Sequence, residues 1–363
     1  MQRMNISGKQ LFALMFLFEI GSSIVVSLGT EAKQDAWLAV LLGMLGGLPL
    51  FAVYAYLYYV HNMALTSYLR KLLGTWLGGT ISVIYILYFF YISARVLRDF
   101  GELLTTSSLN NTPLIVVMVV MMVTVLFSVC NGFEVFARAG SLLFIASLLI
   151  GGMTLVAMLL SGIIHVERLL PMLENGITPV IKAAFPLIYT FPFGEMIVFT
   201  MLMQHTNNRK SAIRAGFVAI IVSGIVLSVT IILNICILGV TYTEIVQFPL
   251  LLSVSRVRIG EIIQRLDAVA LSALIVGGFV KISIFFYAGA LGIKDVFKLK
   301  TKYCHIITII IAAILIIYAP RMASNFSEHI LVGLEVVPYY LHLPLQTGVP
   351  LLLLLITLIK RRR

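Results

Sequence analysis

Uncharged apolar runs long enough to cross a bilayer recur from one end of this chain to the other. Residues 139–164 and 215–243 each pass without a single Asp, Glu, Lys or Arg. About 20 apolar residues at ~1.5 Å rise span the hydrocarbon core of a membrane. Only 11% of the 363 residues are charged and 60% are hydrophobic, whereas soluble domains carry about 25% charged residues. Such a chain cannot cover itself with polar surface in water. It is expected to be an all-α integral membrane protein forming a single domain over 1–363, since no polar block separates the apolar runs.

Ten spans are predicted, at about 9–29, 36–60, 77–98, 113–130, 140–163, 181–204, 212–239, 266–292, 304–319 and 338–359. The N-terminal MQRMNISGKQ leads into the first without a small-residue cleavage site, so that span is read as a retained helix. With both termini cytoplasmic, sixteen Lys and Arg fall on the cytoplasmic side and nine on the other, and Lys281 lies within a span. The positive-inside rule favours this orientation. It also accounts for the net charge of +11 without a nucleic-acid partner, because the terminal Lys-Arg-Arg-Arg can meet anionic lipid headgroups. The segment 241–265, the longest on the outer side, reads either as one or two short amphipathic helices at the interface or as an ordinary capped loop.

No catalytic constellation is present. Cys130, Cys236 and Cys304 are scattered, the six histidines form no HExxH or i, i+4 pair, and neither a P-loop nor a GxSxG elbow occurs. The expectation is a protein that is not an enzyme and that uses no cofactor or metal.

The chemistry is expected where the helical rules are broken. Span one carries Gly21, Ser22 and Ser23 near its middle, just after Glu19; span six carries Pro192, Phe193 and Gly194 followed by Glu195. Gly, Ser and Pro favour non-helical backbone, and at membrane depth such backbone survives only if it is buried or lines a cavity. These are the first and sixth of ten spans. A five-plus-five division, about 9–163 and 181–359, therefore places both breaks at equivalent positions of two halves with opposite topology. Matched breaks of this kind point to a transporter-type binding site. The N–H ends freed at a break suit a carboxylate and the C=O ends a cation or ammonium group, so a zwitterionic amino acid would use both. The alternative for either break is a simple kink with close helix packing.

Four strings carry a resemblance: ISGKQLFALMFLFEIGSSIVV, EAKQDAW, TFPFGEMIVF and RLDAVALSALIVGGFVKISIFFY. They resemble the endospore germination permease family, the B subunits of spore nutrient germinant receptors, within the amino acid–polyamine–organocation superfamily. The resemblance covers essentially the whole chain. It implies the LeuT-like, five-plus-five inverted-repeat permease fold and the sensing of a small nutrient, often an amino acid, in the spore inner membrane. It also implies two partners, an A-type membrane subunit and a C-type lipoprotein. Where family members commonly carry Glu before the Arg-Leu-Asp motif, this chain has Gln264.

Gly21, Ser22, Ser23, Pro192, Phe193, Gly194 and Glu195 are candidate ligand-site residues, with Tyr91 and Tyr88 of the third span lining the pocket. Glu19 and Lys281 are intramembrane charges, functional candidates because such groups are expensive in lipid. In sodium-coupled relatives of this fold a cation sits between the first and eighth helices. Lys281 is expected to stand in for that ion and meet the carbonyls freed at the first break; the alternative is a lysine reaching toward headgroups. Glu195 either binds or caps the second half-helix. Arg265 and Asp267 form either a gate contact or a surface pair. Arg95, Arg98, Asp99 and Glu102 are expected to form a local charge network. The competing functions are a proton-coupled amino-acid transporter and a ligand-gated conduit for ions or water.

Overall fold

The computed structural model describes residues 6–258 and 266–362. Within them the protein is helical, with one isolated β-bridge, between Ile6 and Thr206. Eight of its helical stretches are long and apolar enough to cross a membrane by length and composition. A shorter apolar helix, α5 (Leu114–Cys130), lies at the fourth expected span, and α1 (Gly8–Ile20) is a thirteen-residue helix at the start of the first.

Helix α1 opens with a capping box. The Ser7 side chain accepts from the Gln10 backbone N–H at 3.2 Å, and the Gln10 side chain accepts from the Ser7 N–H at 2.8 Å. Helix α1 stops at Gly21, and the chain leaves through turns over 21–25. The expected first span is thus one helix and an irregular exit, not two half-helices. A 3₁₀ turn, Thr30–Asp35, leads into α2 (Ala36–His61). Next come α3 (Leu65–Leu73), α4 (Thr75–Ser107), α5 and α6 (Phe133–Leu160). The strongly amphipathic α3 lies between the second and third expected spans. Its window is too short and too charged for a span, yet it buries Leu65, Tyr68, Leu69 and Leu72.

The sixth span is the least regular. It runs from α7 (Thr178–Ala183) through a π-helical turn, Ala184–Ile188, into a nine-residue 3₁₀ segment, Phe193–Met201. Pro186 and Pro192 each lack an N–H donor, which interrupts the α-helical ladder. A 3₁₀ run of this length is uncommon, and here every one of its residues is buried.

The second half of the chain holds α8 (Arg209–Leu238), α9 (Val240–Ile245), α10 (Pro249–Ser255), α11 (Leu266–Val296), α12 (Thr301–Tyr318), α13 (Phe326–Leu331) and α14 (Val349–Arg362). Helices α9 and α10 are the two-helix version of the expected 241–265 segment, as far as residue 258. Ahead of α14 the chain is π-helical over Val332–Val336 and Pro338–Gly348.

Small residues set the close approaches. A Cβ on Gly278, Gly289 or Gly292 of α11 would lie 2.4–2.7 Å from Phe100, Phe90 or Ile86 of α4. With no water between membrane helices, this kind of intimate packing takes over the role of the hydrophobic effect. A Cβ on Gly277 would lie 3.1 Å from the Cα of Gly21, so α11 touches the end of α1 at its break.

Both ends of the described chain lie on one face. The Ile6 N–H donates to the His205 carbonyl at 3.1 Å, Arg209 donates to the Tyr59 carbonyl at 3.1 Å, and Lys360 donates to the Leu72 carbonyl at 3.1 Å. On this face Asp295, near the end of α11, accepts from Thr66 at 2.5 Å and Ser67 at 2.9 Å, and pairs with Arg70 at 2.7 Å. One carboxylate thus fastens α3 to α11. On the opposite face Arg168 donates to the Cys236 and Ile237 carbonyls at the end of α8.

Candidate functional site

The end of α1, the 3₁₀ segment 193–201 and the middle of α11 meet at the centre of the protein. Lys281 is fully buried there, its stem lying over the break: a Cβ on Gly21 would come 3.0 Å from Lys281 Cδ. Its Nζ lies 2.6 Å from Glu195 Oε2, an ion pair whose alignment falls short of a hydrogen bond. The same ammonium sits 4.5 Å from the Phe191 ring centroid and 5.0 Å from that of Phe18. A carboxylate and two aromatic faces thus enclose it, the arrangement that favours a desolvated cation. The expected partner of Lys281 was the set of carbonyls freed in span one. Its partner is instead the Glu195 carboxylate of span six, and the turns beyond Gly21 re-form local bonds such as Ile24 N–H to Ile20 O at 3.0 Å. Glu195 lies in the first turn of its segment, but its side chain reaches Lys281 rather than capping that turn.

Around this pair lies a set of buried polar atoms with no hydrogen-bond partner among the described residues: both carboxylate oxygens of Glu19, and the hydroxyls of Ser22, Ser23 and Ser283. Glu19 is within electrostatic reach of both Lys281 and Glu195. Buried polar groups are ordinarily satisfied, so these atoms, concentrated at a backbone break, make this region the candidate site for a polar ligand. A cavity of about 40 Å³ adjoins it, with Ser22, Phe191, Glu195, Arg95, Asp99 and His342 in its walls.

The 193–201 segment is tied to the π-helical stretch 338–348. The Tyr54 hydroxyl lies 3.2 Å from the Gly194 carbonyl and 2.6 Å from the Gln346 carbonyl. Gln346 Nε2 donates to the Tyr88 hydroxyl at 2.8 Å, and that hydroxyl is 2.7 Å from His342 Nδ1. A Cβ on Gly194 would lie only 2.2 Å from Gln346 Oε1, so glycine is what lets the two segments touch. Sequence reading missed Tyr54, His342 and Gln346. Each is one polar residue in an apolar run, and only the tertiary contact reveals its partner.

The remaining expected residues distribute unevenly. Pro192 opens the 3₁₀ segment, and Phe193 is fully buried against Gly47 of α2. Tyr88 faces the site network, whereas Tyr91 binds Arg95, its hydroxyl 3.3 Å from Nη1. The charges at the end of α4 do not form the local network expected. Arg95 donates to the His329 carbonyl, Asp99 Oδ1 lies 2.8 Å from His329 Nε2, and Arg98 reaches the carbonyls of Pro320 and Ala323. The ion pair of Arg98 with Glu102, at 3.7 Å, stays on the helix. These side chains clamp α4 to the 319–329 segment because carbonyls unpaired after α12 need donors. Asp267 borders a surface cavity of about 320 Å³ beside α10, away from the centre. Arg265 lies outside the described residues.

Comparison with known proteins then gives three kinds of likeness. A family described as spore germination protein matches residues 5–327. Spore germination protein KB of Bacillus subtilis (strain 168) is 42% identical over 368 residues, covering 100% of this chain and 97% of that protein. Spore germination protein YndE of the same organism is 28% identical over 283 residues, 76% of each chain. Among solved structures, a Na⁺-coupled sialic acid symporter in a substrate-bound outward-open state aligns with a TM-score of 0.71 at 10% identity, covering 94% of this chain and 78% of that one. Mhp1, a nucleobase-cation-symport-1 family transporter, aligns in a closed conformation with a TM-score of 0.62 at 13% identity, covering 89% and 73%. At such identities the likeness concerns the fold alone, and that fold is a LeuT-like transporter fold.

Proposed function

Because the chain belongs to the spore germination protein family, we propose that it is the nutrient-sensing B-type subunit of a spore germination receptor, taking a small nutrient at the broken segments of spans one and six. The observation that carries this reading is the cluster of buried Glu19, Ser22 and Ser23 atoms that have no hydrogen-bond partner among the described residues, beside the Lys281–Glu195 pair and with a cavity against it. A zwitterionic amino acid supplies both the donors and the acceptors that these groups lack.

The proposed architecture is the five-plus-five inverted repeat, about 9–163 and 181–359, which the transporter-like fold supports. The proposed location is the spore inner membrane with both termini cytoplasmic, supported by the concentration of Lys and Arg on the face that carries both ends. The proposed partners are an A-type membrane subunit and a C-type lipoprotein. Binding acts by preferring one of two conformations of this chain, since only differential affinity can shift such an equilibrium.

Spore germination tested nutrient by nutrient, in a strain relying on this receptor alone, checks the reading. Gly21→Val and Ser22→Ala are expected to lose or right-shift the response to one nutrient class, with the protein still present in the membrane. An unchanged dose response in both variants would contradict it. The transporter-like fold favours one second reading, coupled amino-acid uptake without signalling. Radiolabelled amino-acid accumulation by the purified chain in vesicles, without partners, would establish that reading instead.

A further inference from the structure

The surroundings of Lys281 are built for an ammonium group, and the chain fills them itself. Phe18 is fully buried, Glu195 is 2% exposed, and the Nζ lies 2.6 Å from the Glu195 carboxylate and 5.0 and 4.5 Å from the Phe18 and Phe191 centroids. Two of these three members, Glu195 and Phe191, also line the adjoining cavity. That cavity's other walls include Arg95 and Asp99, in the half of α4 remote from the face of the termini. A molecule in the cavity therefore meets the same carboxylate and the same ring that hold Lys281.

We infer that Glu195, Phe18 and Phe191 form a primary-ammonium site which Lys281 occupies as a tethered competitor, and that the ammonium group of an incoming ligand displaces it from Glu195. The second part rests on the breaks being the nutrient site. The ion pair joins α11 to the 193–201 segment, so its exchange for a ligand contact removes one link between two elements that both meet the end of α1, through Phe285 and Phe199 against Phe18. This gives the ligand a differential contact between two states, the requirement for driving a conformational change. It also narrows the ligand class to molecules carrying a primary ammonium.

Lys281→Ala removes Cγ, Cδ, Cε and Nζ, and n-propylammonium has the same heavy atoms. The full-length chain, purified in lipid nanodiscs, is titrated with n-propylammonium chloride and followed by thermal unfolding. The expected result is a saturable rise in Tm for K281A, or recovery of folded protein if K281A does not fold alone. Wild type is expected to show no such rise, n-propanol to give none in K281A, and K281A/E195Q to lose it. K281S serves as a second background with the same expectation. If neither variant responds to the amine, whether folded or misfolded, the ammonium site is overturned; an equal response to n-propanol overturns it too. Spores carrying the wild-type chain test displacement: an amino acid that triggers germination is expected to be at least 100-fold more potent than its des-amino analogue, since a hydrogen-bonding site rejects the analogue lacking the group by about 10⁴–10⁵. Equal potency would end the displacement idea. Amine rescue together with unaffected Gly21 and Ser22 variants would keep the ammonium site and retire the breaks as the nutrient site. Absence of rescue, with those variants still impaired, would retire the ammonium site alone.

Discussion

Lys281 and Glu195 stand or fall together. Removing one partner of a buried ion pair leaves the other charge unpaired and destabilises by about 3–5 kcal/mol, whereas replacing both is often close to neutral. Lys281→Met and Glu195→Gln are each expected to lower stability on that scale, and the double variant by clearly less than the sum. Thermal unfolding of the four proteins closes the cycle. Additive losses would mean that the 2.6 Å contact carries no coupling. Gly194 makes a different kind of demand. A Cβ there would meet Gln346 Oε1 at 2.2 Å, so Gly194→Ala is expected to cost about 1–3 kcal/mol through overpacking. The same substitution at Gly79, where a Cβ would meet nothing within 4 Å, is expected to leave the melting temperature unchanged or raise it slightly.

At the scale of elements, α3 behaves as a peg. Its apolar side is buried, and Thr66, Ser67 and Arg70 converge on Asp295 at the end of α11. The helix that carries Lys281 at its middle is therefore tied down at its end on the face of the termini. Asp295→Asn keeps the shape but removes the charge that strengthens these bonds. It is expected to lower stability by about 1–3 kcal/mol and to speed hydrogen exchange selectively in α3. Exchange rising equally throughout the protein would show that the tie is not local. Sequence alone made α4, α6, α8 and α11 legible, because long uncharged runs leave few alternatives. The same reading passed over α3, whose nine residues satisfy an amphipathic pattern that only its buried face distinguishes from a loop.

The whole molecule has two unlike faces. One carries both ends of the described chain and the basic loops around Arg209 and Lys298; the other carries α9, α10 and the 165–177 segment. Single-cysteine variants at Lys298 and Glu167, each made in a background lacking the three native cysteines, are expected to label from opposite sides of sealed vesicles with a membrane-impermeant maleimide. If termini and Lys298 face the cytoplasm, labelling of Lys298→Cys requires the inner leaflet to be exposed. Labelling of both from one side would be incompatible with the bundle.

What the sequence determined by itself was the solvent and the location of the irregularities. An uncharged run of some twenty residues has one favourable environment, and the residues of Gly21–Ser23 and Pro192–Glu195 disfavour regular α-helix, so both conclusions rest on local chemistry. The partners were decided by tertiary structure. Nothing near Lys281 in the chain identifies Glu195, eighty-odd positions earlier, as its counter-ion, nor Phe18 and Phe191 as the rings around it. Likewise, Arg95 and Asp99 looked like neighbours on one helix until the fold brought His329 between them. Long-range electrostatic pairing depends on which helices pack, and packing here follows the glycines of α11 against α4 and α1 rather than any spacing visible along the chain.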